Sequence, residues 1–224
     1  MGIERFPWLN DAIKAHQNIT FPSSSIIEGE FGLAKKQLAR YFAQKLLCSD
    51  DSAPCGICNS CNYFEAGSHP DYCFLDKDSC SSALHGYSKA KKDSLTSNNI
   101  DGIRALNEFI AMTNSVSKKR IAIVFDAHSM GINAQNAILK TLEELPENKH
   151  IFLVSNQRKY FLPTIYSRSS LISINNPNPI ALDQWIADQG YIDFSYLNLA
   201  PDSTPLQIEH LINNDLAGQY IEIS

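Results

Sequence analysis

Cys48, Cys55, Cys58 and Cys61 fall within one fourteen-residue stretch, CSDDSAPCGICNSC. Tetrahedral zinc takes four soft ligands, and a Cys-x-x-Cys turn brings two thiolates to one ion. Gly56 lets the first such turn curl so that backbone N–H groups face the sulfurs. Four thiolates leave no position for water or substrate, so the expected site is structural zinc. A redox dithiol or buried free thiols is the competing reading, and the fourth cysteine at close range favours the metal. Cys73 lies in an apolar run and reads as a core thiol, and Cys80 falls outside the module. His69, in SHPDY, is a lesser candidate as a substitute ligand.

A second motif precedes the cysteines. In IIEGEFGLAKKQLARYFAQKLL, Ile26 to Leu47, a short apolar strand runs into a glycine turn and then a helix. That is the context of the P-loop, GxxxxGK[ST], whose backbone N–H groups cradle phosphates at a helix N-terminus. Gly29 and Lys35 fit, with Gly32 between them; Ala34 stands where the second required glycine belongs, and Lys36 replaces the Ser/Thr. Ala34 sets a methyl group where phosphate meets bare backbone and disfavours positive φ. Lys36 sets a cation where a hydroxyl would meet Mg²⁺. The loop therefore reads as degenerate: its geometry kept, its Mg²⁺ chemistry lost. Lys35 and the helix N-terminus alone would attract phosphate weakly.

The elements that must hold these residues follow from hydrophobic periodicity. Pro7 to His16 reads as a short amphipathic helix and SSSII as the first buried strand. Helices are expected over Leu33–Leu47, Asn59–Ala66, Ile100–Thr113 and NAQNAILKTLEEL, the last ended by Pro146. DYCFL, RIAIVF, HIFLVS and SLISI read as strands. Strands alternating with helices predict an α/β, doubly wound, largely parallel sheet. The Ser-, Asp- and Lys-rich segment 76–99 reads as a mobile surface loop. After NNPNP, near residue 175, the character changes to three short helices, Ile180–Gly190, Asp193–Leu199 and Pro205–Ala217. This divides the chain into an α/β domain, 1–175, and a small helical domain, 176–224.

The whole chain sets bounds. It has 224 residues, 44% hydrophobic and 19% charged, as a globular core requires. Net charge is −5, which argues against gripping nucleic acid alone by phosphate neutralisation. Lys89, Lys91 and Lys92, and Lys118, Lys119 and Arg120, read as solvated loop and pre-strand positions rather than DNA contacts. No apolar run approaches the ~20 residues needed to span a bilayer, and no signal peptide is visible at the N-terminus. A cytoplasmic location is expected, and six cysteines there favour metal binding or buried thiols over disulfides.

The order of these pieces carries a resemblance. Degenerate P-loop, LLC, PCGICNSC, SHPDY, IDGIR, NAILKTLEELPE and LPTIYSR together resemble the delta-prime family of bacterial DNA polymerase III clamp-loader subunits, which are AAA+ proteins. The resemblance covers essentially the whole chain, from FPWL through the small helical domain. It implies an AAA+ P-loop-type sheet with an inserted zinc module, followed by a three-helix lid. A third, helical collar domain usual in the family is absent from this sequence.

The resemblance also implies residue roles. Laid on the family's NALLKTLEE, the stretch beginning at Asn136 places the usual Asp-Glu pair on Phe125 and Asp126. Phe125 then stands at the metal-binding Asp, and Asp126 replaces the Glu that would polarise water. Were Asp126 the metal acid, with Ala127 after it, the Glu would still be gone. The implied chain has no intrinsic ATPase activity. Ser167-Arg168-Ser169 matches the family's Ser-Arg-Cys, keeping the arginine and losing the thiol. Arg168 is thereby expected to act in trans as an arginine finger on the gamma/tau ATPase; a local salt bridge is the alternative. Further implied partners are the delta subunit and, through the complex, the sliding clamp and primed DNA. An active gamma/tau-like ATPase and a zinc-stabilised scaffold with another partner are the rival readings.

Overall fold

A computed structural model describes residues 2–16, 21–84, 95–190 and 203–214. Five strands, β1 (Ser24–Glu28), β2 (Tyr72–Leu75), β3 (Arg120–Val124), β4 (Lys149–Ser155) and β5 (Ser170–Ser173), form one sheet in the order β2-β3-β4-β1-β5. Every pairing is parallel, with Ile26 opposite Leu153 and Leu171, and Ile123 opposite Phe152 and Phe74. β1 and β3 are buried along their whole length, as expected of a parallel sheet covered on both faces, and the run Ile121–Val124 of β3 is apolar throughout.

Eight helices are described: α1 (Asn10–Ala15), α2 (Lys35–Leu47), α3 (Asn59–Glu65), α4 (Ile100–Ala111), α5 (Ile132–Glu143), α6 (Pro163–Tyr166), α7 (Pro179–Asp188) and α8 (Pro205–Asn213). On one face Ile27, Ile121, Ile123, Phe152 and Val154 meet α2 through Leu38, Ala39 and Phe42. On the other, Ile26, Ala122, Val124, Ile151 and Leu153 meet α4 and α5 through Ile103, Leu106, Phe109 and Ile138. The period-two alternation of strands thus sorts neighbouring residues to opposite cores.

α7 and α8 share a third cluster of Leu182, Trp185, Ile186 and Ile208, with Trp8 packed against it. Trp8 and Trp185 meet edge to face at 5.2 Å, and the Trp185 indole N–H donates to the Arg5 carbonyl at 2.8 Å. The helix expected over 193–199 lies outside the described residues, as do Gly218, Lys89, Lys91 and Lys92.

Three expectations change. The N-terminal helix is shorter than Pro7–His16, because two 3-10 turns, Ile3–Arg5 and Pro7–Leu9, precede it. The described ends of segment 76–99 are surface only in part: Lys77, Asp78 and Ser79 are exposed, while Leu84 and Leu95 are buried in the cluster that holds α4. Arg120 is neither a solvated pre-strand position nor a DNA contact. It is 2% exposed, ion-paired with Asp71 at 2.9 Å and stacked 4.5 Å from the centre of the Phe109 ring. Asp71 also accepts the backbone N–H groups of Ser115, Val116 and Ser117. A buried charge is tolerated only with such partners, which a run of basic residues in the sequence does not reveal.

His150 on β4 is 1% exposed; its Nδ1–H donates to the Pro22 carbonyl at 3.0 Å and Nε2 has no partner among the described residues. Burial pushes its pKa down to about 4. The folded chain therefore holds it neutral. That stability is fully present above the ordinary histidine value and is lost as pH falls through about 4, up to about 3 kcal/mol in all. Urea midpoints measured between pH 7 and pH 4 are expected to fall, and His150→Asn, which keeps an N–H for Pro22, to flatten that slope.

Candidate functional site

The carboxyl ends of β1, β3 and β4 open on the place where ligands of open parallel sheets bind. Residues 29–34 wrap over the end of β1 and lead into α2. A Cβ on Gly29 would stand 2.4 Å from the Ile174 carbonyl oxygen, so no larger residue fits there. Gly32 has φ +87, and its would-be Cβ position is filled by the Thr204 hydroxyl at 2.1 Å. The Gly32 carbonyl accepts the Leu206 N–H at 3.1 Å, so the start of α8 rests directly on the loop.

Ala34 holds φ +58 and ψ +29 although it is not glycine. Its side chain is buried in the α2 core, and that packing holds a conformation which disfavours an L-residue by about 1–2 kcal/mol. Lys35 is 3% exposed and turns its ammonium back to the Glu30 carbonyl; burial lowers its pKa to about 8.

Lys36 is the centre of the arrangement. Its Nζ donates to Asp126 Oδ2 at 2.8 Å and to Asp76 Oδ2 at 2.9 Å, and lies 5.4 Å from the centre of the Phe125 ring. Burial works against both charges, yet the pairing prevails: Lys36 is held above the usual lysine pKa and Asp126 below the usual carboxylate value. Asn156, just past β4, donates from Nδ2 to Asp126 Oδ1 at 3.0 Å, and Asp126 itself adopts φ +47. Phe125 is 4% exposed and belongs to the core. A magnesium nucleotide needs a hydroxyl and a carboxylate free for the metal. These residues offer an ammonium already bound by two carboxylates and a phenyl ring, and do not fit it. A cavity of about 720 Å³ remains between the loop and α8, bordered by Phe31, Lys36, Asn156, Leu206 and His210.

Asp76 and Asn156 escaped the reading of the sequence. The signal was nevertheless present: β2, β3 and β4 are each followed within two residues by Asp or Asn. Polar side chains at that end of a parallel sheet are where a site would be sought.

The cysteine module follows α2. The sulfurs of Cys48, Cys55, Cys58 and Cys61 all lie within 4.8 Å of one another. Cys48 is 3.5 Å from Cys55 and 3.8 Å from Cys58. Four sulfurs about 2.3 Å from one tetrahedral ion would stand about 3.8 Å apart, so the set fits zinc and suggests a structural site. Gly56 has φ +73, supplying the curl expected of it. Backbone N–H groups of Ser49 and Cys61 pull the Cys58 thiol down to about 6. Burial pushes Cys61 up to about 12, so a cation beside it is what would keep that sulfur ionised at neutral pH.

His69 has a different role from a substitute ligand. Its Nδ1 accepts the Asp71 N–H, which leaves the proton on Nε2, shared with Ser60 Oγ at 2.8 Å. Ser60 and Ser117 both donate to the Leu47 carbonyl, tying α3 to the end of α2. Cys73 is fully buried and its pKa is pushed well above the thiol range, as a core thiol should be.

Ser167 and Arg168 follow α6 and do not border the cavity over the chain's own loop. Arg168 Nη2 pairs with Glu143 Oε1 at 2.8 Å, while Nη1 donates to the Thr164 carbonyl at 3.1 Å and to Ser167 Oγ at 3.2 Å. The arginine side chain is 36% exposed.

A sequence model of the family described as DNA polymerase III, delta subunit, matches residues 8–178. The DNA polymerase III subunit delta' of Pseudomonas aeruginosa is 30% identical over 72% of this chain and 46% of its own length. That of Haemophilus influenzae is 31% identical over 75% of this chain and 47% of its own. The chain thus spans about half the length of these relatives. Subunit tau of Bacillus subtilis is 28% identical over 66% of this chain and 24% of its own length. Among solved structures, a DNA polymerase III gamma subunit-related protein from Thermotoga maritima shares the fold. It has a TM-score of 0.51 and 21% identity, over 84% of this chain and 55% of that one. No described helix is long and apolar enough to cross a membrane. The family match spans most of the chain, and two relatives named subunit delta' are 30% and 31% identical over 72% and 75% of it: this chain belongs to the DNA polymerase III delta-prime subunits.

Proposed function

We propose that the chain is a non-catalytic member of the clamp loader. It closes one end of the assembly beside a gamma/tau ATPase, lends Arg168 in trans to that neighbour's ATP, and turns over no ATP itself. Delta is a further partner, and the sliding clamp and primed DNA are met through the complex. The observation that carries this reading is the ammonium of Lys36 held between Asp76 and Asp126. It stands where the loop pattern sets the metal-binding hydroxyl, so a fixed internal cation takes the place of an exchangeable one. An active gamma/tau-type site would need a hydroxyl at 36 and an acid at 125, and the chain has Lys36 and Phe125. Ser167 supports Arg168, and the four cysteines hold zinc as a structural ion. The division near residue 175 into α/β and lid units completes the proposal.

Reconstitution with gamma/tau and delta is the test. DNA-stimulated ATP hydrolysis and clamp loading are expected to require this subunit, while the chain alone shows no magnesium-dependent ATP binding. Tight magnesium-dependent binding or turnover by the isolated chain would remove the reading. Lys36→Met leaves the two carboxylates without their cation and is expected to lower stability by about 1–2 kcal/mol, reduced from a fully buried pair because the lysine side chain is 42% exposed. Added Mg²⁺ should recover part of that loss in thermal melts of the variant and none in the parent.

A further inference from the structure

Tyr166 and Ser169 flank the exposed pair Ser167-Arg168, and each is only partly exposed itself. Both turn to the same strand. The Tyr166 hydroxyl donates to Glu28 Oε2 at 3.1 Å, and Ser169 Oγ shares a hydrogen bond with Ser24 Oγ at 2.7 Å. Ser24 and Glu28 are the first and last residues of β1, and neither is more than 5% exposed. Side chains alternate between the faces of a strand, so Ser24, Ile26 and Glu28 share one face. Ile26 on that face belongs to the core that also takes Ile165 of α6.

α6 has four residues, too few to hold a helix by themselves, so its surroundings must fix it. Ahead of it, Gln135 of α5, 5% exposed, accepts the Leu162 N–H at 3.0 Å. Behind it, the N–H groups of Ser167, Arg168 and Ser169 donate back to the carbonyls of Pro163, Ile165 and Tyr166. Those backbone bonds shape the turn, but only Tyr166 and Ser169 tie it by side chains to β1. Four steps of a parallel strand set the two anchors about 13 Å apart. Attachments so far apart restrain the turn against rotation as well as translation. The other Glu28 oxygen accepts from Ser173 Oγ at 3.4 Å, which steadies the carboxyl group in turn.

We infer that Tyr166 and Ser169 are positioning residues: through Glu28 and Ser24 they hold the turn that carries Arg168 at one place on the sheet, where the arginine meets the nucleotide of the adjoining subunit. The inference rests on the reading of Arg168 as a trans-acting arginine. Transition-state contacts are steep in distance, and a misplacement of about 1 Å costs about 100-fold in rate. A turn that keeps its backbone bonds and loses one side-chain anchor moves less than that, so the expected effect is about three- to tenfold for each anchor.

The experiment is ATP hydrolysis by the reconstituted complex, isolated by gel filtration and assayed well below the melting temperature of each variant. Tyr166→Phe keeps the ring and removes only the hydroxyl; Ser169→Ala removes only Oγ. Each is expected to lower kcat about three- to tenfold with KM for ATP unchanged, and to add nothing in a complex already carrying Arg168→Ala. Tyr166→Phe leaves a buried carboxyl group short of a donor and is expected to melt earlier. Ser169→Ala leaves Glu28 paired and tests the same role without that loss. A kcat equal to the parent's in either variant, whatever its melting temperature, would make that bond structural only and overturn the role of that residue. Losses that multiply with that of Arg168→Ala would overturn the inference as a whole, because they would act through something other than the arginine. Unchanged turnover in Arg168→Ala would overturn the trans-acting reading itself, a result distinct from these.

Discussion

Arg168→Ala is expected to leave the chain folded and to lower ATP turnover at the neighbouring subunit's site by about 10³-fold or more. The folding half follows from exposure. Arg168 is more than a third exposed, and its carboxylate partner is 47% exposed, so their pair contributes less than about 1 kcal/mol. The catalytic half follows from chemistry: a guanidinium offers two aligned donors and a permanent positive charge to oxygens that gain charge in phosphoryl transfer. Lysine cannot reproduce the fork, so Arg168→Lys should recover only a small part of the rate. Single-turnover hydrolysis in the assembled complex checks both variants, and circular dichroism of the isolated chain checks the fold.

Stripping metal from the cysteine module has the second large effect. The purified chain is expected to carry one zinc per molecule, and Cys58→Ser or Cys61→Ser to lose it. Structural zinc contributes folding free energy outright, about 10–16 kcal/mol in small isolated modules. Here the larger α/β core remains, so the expected result is local: α3 and the 48–58 turn come apart while the sheet persists. The damage should reach the end of α2, because Ser60 and Ser117 both donate to the Leu47 carbonyl beside Cys48. Metal analysis, with hydrogen exchange across 44–70 before and after chelation, measures this. Unchanged exchange protection in a metal-free chain would remove the structural role.

How much was legible beforehand depended on how local each feature is. The zinc module was readable because its four sulfurs come from one short stretch, where spacing alone limits how far apart they fold. The sheet was readable because Ile121–Phe125 and Ile151–Val154 are unbroken apolar runs, as parallel strands covered on both faces require. Ala34 at the glycine position was readable as a departure, but the expected consequence was not the one realised. The chain keeps the left-handed turn, since core packing of Ala34 outweighs its local strain.

Charged residues were the least legible. Arg120 sits in the basic run Lys118-Lys119-Arg120, yet only Arg120 is buried, because the fold brings to it Asp71 and the carbonyls of Phe109 and Thr113 as acceptors. Lys36 meets Asp76 from forty residues away and Asp126 from ninety. Sequence alone determined the α/β class, the cysteine cluster, the degenerate loop and the family resemblance, all set by short-range pattern and residue type. Tertiary structure alone decided which carboxylates surround Lys36, which way Lys35 turns and what Arg168 rests on. Those outcomes depend on strand order and on loops meeting at one end of the sheet, where desolvation makes every charge find a partner.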